Sequence, residues 1–260
     1  MQHSARYVVI FAAAVCVVCS VFVSAAAVSL RERQEANKLL DRQKKVLTVA
    51  GMMRDGESLP AAEVARIFET SVRTHVVRLA GGRMLPDVDP ELYDPRQAAA
   101  DPDRSHPAPS NRAGILRVAD QQLVYHVVED GDVSAVILPI EGKGLWSTLY
   151  GYLALAPDTR TVRGITFYEH GETPGLGGEV DNPGWKAKWP GRLAFDEDWT
   201  PRIGVKKGVA GPPESDPYRV DGLSGATITS RGVTQLLEFW LGEAGFGPYL
   251  TEFRSGGGRG

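Results

Sequence analysis

Asp221-Gly222-Leu223-Ser224-Gly225-Ala226-Thr227, continued by Ile228-Thr229-Ser230, gathers four hydroxyls and two glycines in ten residues directly before an apolar helical pattern. That composition suits a phosphate. Glycine lets the backbone approach an anion closely, and the unpaired N–H groups opening the next helix favour negative charge. The same residues also serve as helix punctuation, with Thr229 or Ser230 capping a helix from about Arg231 to Leu241. Upstream, four glycines around Pro174 between His170 and Gly178 exclude regular helix or strand. This is a connecting loop, or one through which a planar ligand reaches backbone beside the strand pattern of Gly164 to Tyr168. His170 reads as structural, because the five histidines are scattered and lack ligand spacing for a metal. Trp146 and Ser147 follow Gly142-Lys143-Gly144 as a strand entered through a glycine turn. By residue type Trp146 is a core anchor. Lys206 and Lys207, beside Gly208, are either a counter-charge for a phosphate or a solvated pair.

Asp221-x-x-Ser224-Gly225-Ala226-Thr227 resembles the acceptor motif of proteins that carry FMN in phosphoester linkage to a threonine, the matching acceptor being Thr227. In such proteins a flavin transferase uses FAD and a divalent metal to place the FMN phosphate on the hydroxyl, releasing AMP. Together with Gly142-Lys143-Gly144-Leu145-Trp146-Ser147, Tyr150-Gly151, His170 to Gly178 and Asn182-Pro183-Gly184-Trp185, the motif is similar to one family. That family is NqrC, which forms part of the bacterial sodium-pumping NADH:quinone oxidoreductase. The resemblance implies that Ser224, Gly225, Ala226 and Asp221 shape the acceptor turn, Asp221 as an acidic recognition residue. It also implies that Trp146, Glu172, Thr173 and Leu176 lie against the cofactor, and Lys207 is the candidate counter-charge by residue type.

The formal net charge of −3 offers no basic face for nucleic acid, and a hydrophobic fraction of 43% is that of a globular protein. Tyr7 to Leu30 carries no charge and is long enough for a membrane span. Small residues at Ala25-Ala26-Ala27 also fit a signal-peptide site, but Leu39, Leu40, Val46, Leu47 and Val49 continue a helical rhythm, which favours an uncleaved anchor. Only Arg6 precedes the span, whereas Arg31, Arg33, Lys38, Arg42, Lys44 and Lys45 follow it. Positive charge thus argues for a cytoplasmic bulk. The family resemblance implies a periplasmic one, held to the inner membrane by a single pass. Cys16 and Cys19, one turn apart inside the span, are small packing residues or contributors to an iron centre shared with partner helices.

The expected organisation is an anchor over 1–30, a helical stem over 31–58, an extracytoplasmic FMN-binding domain over 59–254 and a flexible tail over 255–260. A helix is expected from Pro60 to about Arg73 and a strand over His75 to Leu79. Asp87 to Arg112, with three Asp-Pro pairs, reads as a surface excursion or partner-contact loop. Five strand-like runs follow: 115–118, 123–128, 133–138, 146–155 and 162–168, with Asp130-Gly131 the clearest turn. Pro248 to Phe253 is helical. The fold class is therefore α+β, a mostly antiparallel sheet with flanking helices behind an N-terminal transmembrane helix.

Two functions fit. One is electron transfer through covalent FMN within a membrane respiratory complex, either the sodium pump or the related ferredoxin-linked complex. The other is a noncatalytic extracytoplasmic assembly module. The resemblance implies partner subunits of the A, B, D, E and F types, the flavin transferase and the membrane. It further implies that electrons reach the FMN from NADH through iron–sulfur centres and pass on to a second flavin and to quinone.

Overall fold

The computed structural model describes residues 4–256. The chain divides into two units, one ending at Arg42 and the other beginning at Gln43. Helix α1, Ala5–Val49, contains a stretch long and apolar enough to cross a membrane. From Tyr7 to Leu30 it provides about 36 Å at 1.5 Å per residue. Its apolar side chains there are exposed, and burial begins only at Val46 and Leu47, within the second unit.

In the second unit α2, Ala61–Ser71, runs without a loop into β1, Val72–Arg78. Then come α3, Pro95–Ala100, and a small hairpin of β2, Ser105–Pro107, with β3, Arg117–Ala119. The main strands follow: β4, Gln121–Glu129; β5, Asp132–Lys143; β6, Thr148–Leu155; and β7, Val162–Glu169. A 3-10 turn, Gly177–Asp181, and the short α4, Pro183–Lys186, lead to a parallel pair of β8, Gly204–Val205, and β9, Arg219–Val220. Helices α5, Thr227–Leu241, and α6, Gly247–Arg254, close the unit. Strands β1, β4, β5, β6 and β7 form one antiparallel sheet in the order β1-β4-β5-β6-β7. This is the expected α+β class.

Local chemistry explains the elements. Asp130 and Gly131 both take left-handed φ, 52° and 89°, and join β4 to β5 in a tight hairpin whose twist matches the strands. Helix α5 presents Val233, Leu236, Leu237 and Trp240 at helical spacing to the sheet, and Trp240 Nε1 donates to the Glu141 carbonyl at 2.7 Å. Because Lys143 pairs with Thr148 and Tyr150 with Glu169, the end of β5, the start of β6 and the end of β7 share one sheet end. Two connections therefore meet there, the β5–β6 turn and the loop after β7.

Several boundaries differ from the sequence reading. Helix α5 begins at Thr227, four residues before Arg231, so Thr229 and Ser230 are buried helical residues and not caps. Their hydroxyls serve tertiary bonds instead, which a propensity argument does not see. Trp146 lies in the turn before β6, 70% exposed, and is not a core anchor. The Asp-Pro-rich segment is built into the fold: Asp94 caps α3 by accepting from Arg96 and Gln97 N–H, and Tyr93 donates to the Gln121 carbonyl at 2.8 Å. Of the expected tail over 255–260, residues 257–260 lie outside the described residues.

Beneath α6, His126 of β4 is 2% exposed, with Nε2 2.6 Å from the Tyr249 hydroxyl and its ring 4.6 Å from that of His75. Burial, helped by the nearby His75 charge, pushes its pKa down from 6.5 to about 4. The unfolded chain therefore binds the proton more readily, so stability is lost as pH falls from about 6.5 toward 4. The expected loss is up to about 3 kcal/mol. Urea titrations across that window should find this slope in the parent protein and a clearly smaller one in His126→Gln. Equal slopes would assign the acid sensitivity to other groups.

Candidate functional site

Glu172 organises the shared sheet end. In the loop after β7 it is 5% exposed, and both carboxylate oxygens are bonded. Oε1 accepts from the N–H groups of Leu145, Trp146 and Ser147 at 3.0, 2.9 and 3.4 Å. Oε2 accepts from the Thr229 hydroxyl of α5 at 2.5 Å. Burial pushes the carboxyl pKa up, but the Thr229 hydroxyl and the three N–H groups outweigh it and hold the group below its ordinary value. Gly177 is required by this packing, since a Cβ there would meet Glu172 Oε2 at 2.5 Å and Thr229 Oγ1 at 2.6 Å. The Ser147 hydroxyl accepts from Gly171 N–H at 2.6 Å, stitching the β5–β6 connection to the same loop.

The turn before α5 closes the site. Gly225 has φ +70°, a backbone that side-chain-bearing residues rarely adopt, and a Cβ on it would come within 2.9 Å of the terminal methyl of Leu176, which would have to shift. Asp221 is consumed structurally: its carboxylate accepts from Ala210 N–H at 2.9 Å and pairs with Lys188, while its carbonyl accepts from Trp185 Nε1 at 2.8 Å. Burial would raise its pKa, but Lys188 and the Ala210 N–H lower it further than burial raises it. Ser230 accepts from Leu223 N–H at 3.0 Å. These contacts orient the backbone so that Thr227, first residue of α5, points its face outward and is exposed, as is Ser224.

Thr227 borders a cavity of about 630 Å³ that also takes in Ser224, Gly225, Lys207 and Arg231. Lys206 is partly diverted to Asp216 at 3.1 Å. Four exposed apolar side chains are tied to the same segments: Ile228 follows Thr227, Leu176 lies against Gly225, and Leu145 and Trp146 donate their N–H groups to Glu172. Thr173 is exposed, and its carbonyl accepts from the N–H groups of Leu176 and Gly178. The arrangement thus joins an outward hydroxyl at a helix N-terminus, two cations and an apolar wall. That is the chemistry for a phosphate ester bearing a flat, partly apolar ring.

The folded chain brings Ser224, Gly225, Ala226, Thr227, Leu176 and Glu172 into one neighbourhood, with Trp146 tied in through Glu172. Ala226 is buried under the turn, Lys207 reaches the cavity, and Asp221 serves the turn from behind. Sequence reasoning missed Arg231, Leu145 and Ile228. Arg231 was accessible in principle, since it follows Thr227 by four residues and so shares its helical face.

Residues 144–242 match the family described as FMN-binding domain. The chain is 46% identical over 258 residues to the NqrC protein of the Na(+)-translocating NADH-quinone reductase of Pseudomonas aeruginosa, covering 98% of both chains. It is 46% identical to the corresponding protein of Yersinia pestis, covering 93% of this chain and 90% of the other. The crystal structure of Shewanella oneidensis NqrC superposes with a TM-score of 0.76 at 36% identity, over 86% of this chain and 99% of that one. That of the Parabacteroides distasonis counterpart gives 0.65 at 27% identity, over 85% and 97%.

If Glu172 holds this site together, the two nearby threonines must differ in cost. Thr229→Val leaves a buried carboxylate oxygen without its donor and should destabilise by about 1–3 kcal/mol. Thr227→Val, at an exposed position, should stay within about 0.5 kcal/mol of the parent. Urea denaturation of both variants measures this, and similar costs would contradict the assignment.

Proposed function

We propose, since the chain belongs to the NqrC family of the Na(+)-translocating NADH-quinone reductases, that it is an electron-carrying subunit with FMN in phosphoester linkage to Thr227. The observation that carries the attachment is the contrast among four hydroxyls. Thr229 and Ser230 are buried and committed to Glu172 and Leu223, whereas Thr227 stands exposed at the head of α5. Ser224 is also exposed, but it precedes the helix.

The bound group would supply reversible redox chemistry. The chain's own residues would do the rest. The first N–H groups of α5, with Lys207 and Arg231, would neutralise the phosphate. Leu176, Trp146, Leu145 and Ile228 would cover part of the ring and shield it from water, which tunes a flavin's potential. Gly225 lets Leu176 close onto the turn. Attachment transfers the FMN phosphoryl of FAD to the Thr227 oxygen with release of AMP, through a flavin transferase. The other subunits of the complex would deliver and remove electrons.

Thr227→Ala should lose the flavin mass adduct after coexpression with a flavin transferase while keeping the parent's urea midpoint. A retained adduct in intact-mass measurement would refute attachment at Thr227.

Helix α1 would hold the protein in the inner membrane with the second unit in the periplasm. The basic residues from Arg31 to Lys45 oppose that orientation, but large following domains cross despite such charge. A C-terminal reporter that works only when exported should be active, and a reporter active only in the cytoplasm should be silent. The reverse pattern would establish the cytoplasmic orientation.

A further inference from the structure

The hydrogen bonds around His170 have one self-consistent direction. The Glu172 backbone N–H is only a donor and lies 3.2 Å from His170 Nδ1, so Nδ1 accepts and the ring proton is on Nε2. Nε2 in turn donates to Asp181 Oδ2 at 2.8 Å. The ring is largely buried, and Lys45, in the last turns of α1 within the second unit, is close enough to stabilise the Asp181 carboxylate. A histidine suits this place because one rigid ring offers an acceptor and a donor on different sides. It spans from its own loop to the 3-10 turn eleven residues later.

We propose that His170 is a positioning residue for the flavin wall, acting through Glu172. The proposal rests on the reading of FMN at Thr227. Glu172 lies in a glycine-flanked loop outside regular structure, where few bonds fix the backbone. Two that do are Gly171 N–H to the Ser147 hydroxyl and Glu172 N–H to His170 Nδ1. Fixing the Glu172 backbone aims its carboxylate at three amides of the Trp146 turn and at Thr229 of the acceptor helix. His170 thereby links Asp181 and the end of the stem to both walls of the site, without itself being a ligand.

Two substitutions separate the bonds of the ring. His170→Asn keeps an acceptor near the Nδ1 position and loses the reach to Asp181. His170→Gln keeps a donor toward Asp181 and leaves Glu172 N–H without an acceptor. In the full-length chain carrying Thr227→Ala, amide hydrogen exchange at Leu145, Trp146 and Ser147 should be on the order of tenfold faster with His170→Gln and unchanged with His170→Asn. In the flavin-loaded chain, the midpoint potential should shift in the Gln variant and not in the Asn variant. Should the Gln variant fail to fold, His170→Ala also leaves the Glu172 N–H without an acceptor and should speed exchange at the same three amides. Identical behaviour of the Asn and Gln variants, or unchanged amides in the variant that removes the acceptor for Glu172 N–H, would overturn the proposal. If the amides respond but the parent carries no flavin at Thr227, the positioning of Glu172 stands and the attachment reading alone fails.

Discussion

A carboxylate taken out of water must find donors, and Glu172 finds four of them on two different parts of the fold. Three are consecutive amides of the β5–β6 connection and one is the hydroxyl of Thr229 in α5. Unpaired, a charge this deep would cost several kcal/mol. Paired, it pins a strand connection, a glycine-rich loop and a helix N-terminus to one another. The antiparallel register of β5, β6 and β7 delivers the strand connection and the glycine-rich loop to the same sheet end, but the register alone would leave both free to drift and does not place the helix N-terminus.

The rest of the site follows from that constraint. With Thr229 turned inward to Glu172, helical geometry turns Thr227 and Arg231 outward. The left-handed backbone at 225 then favours glycine, with Leu176 packed against it. Asp221 holds the turn from behind through Ala210, Lys188 and Trp185. Its presence in the motif therefore has a folding reason, independent of recognition by a transferase.

Much of this is legible in the sequence, for identifiable reasons. Strands β4 to β7 announce themselves through apolar runs broken by turn residues, and Asp130-Gly131 names its hairpin. The acceptor turn and the 170–178 loop are visible because clustered glycines and hydroxyls have few uses. The start of α5 is not, because Thr and Ser favour caps by propensity, whereas here their hydroxyls satisfy Glu172 and Leu223. By size Trp146 belongs in a core, yet its amide is what the fold needs and its indole is left exposed. The role of Glu172 itself depends on partners 25 to 57 residues away, which no local pattern encodes.

Peptide mapping tests the account most directly. Trypsin should release Val220 to Arg231, which contains Ser224, Thr227, Thr229 and Ser230 together. Fragmentation of that peptide from the flavin-loaded protein should place the whole phosphoester adduct on Thr227. An adduct on Ser224, Thr229 or Ser230 would contradict the claim that tertiary burial selects the acceptor among four neighbouring hydroxyls, as would a flavin-bearing protein whose Val220 to Arg231 peptide is unmodified.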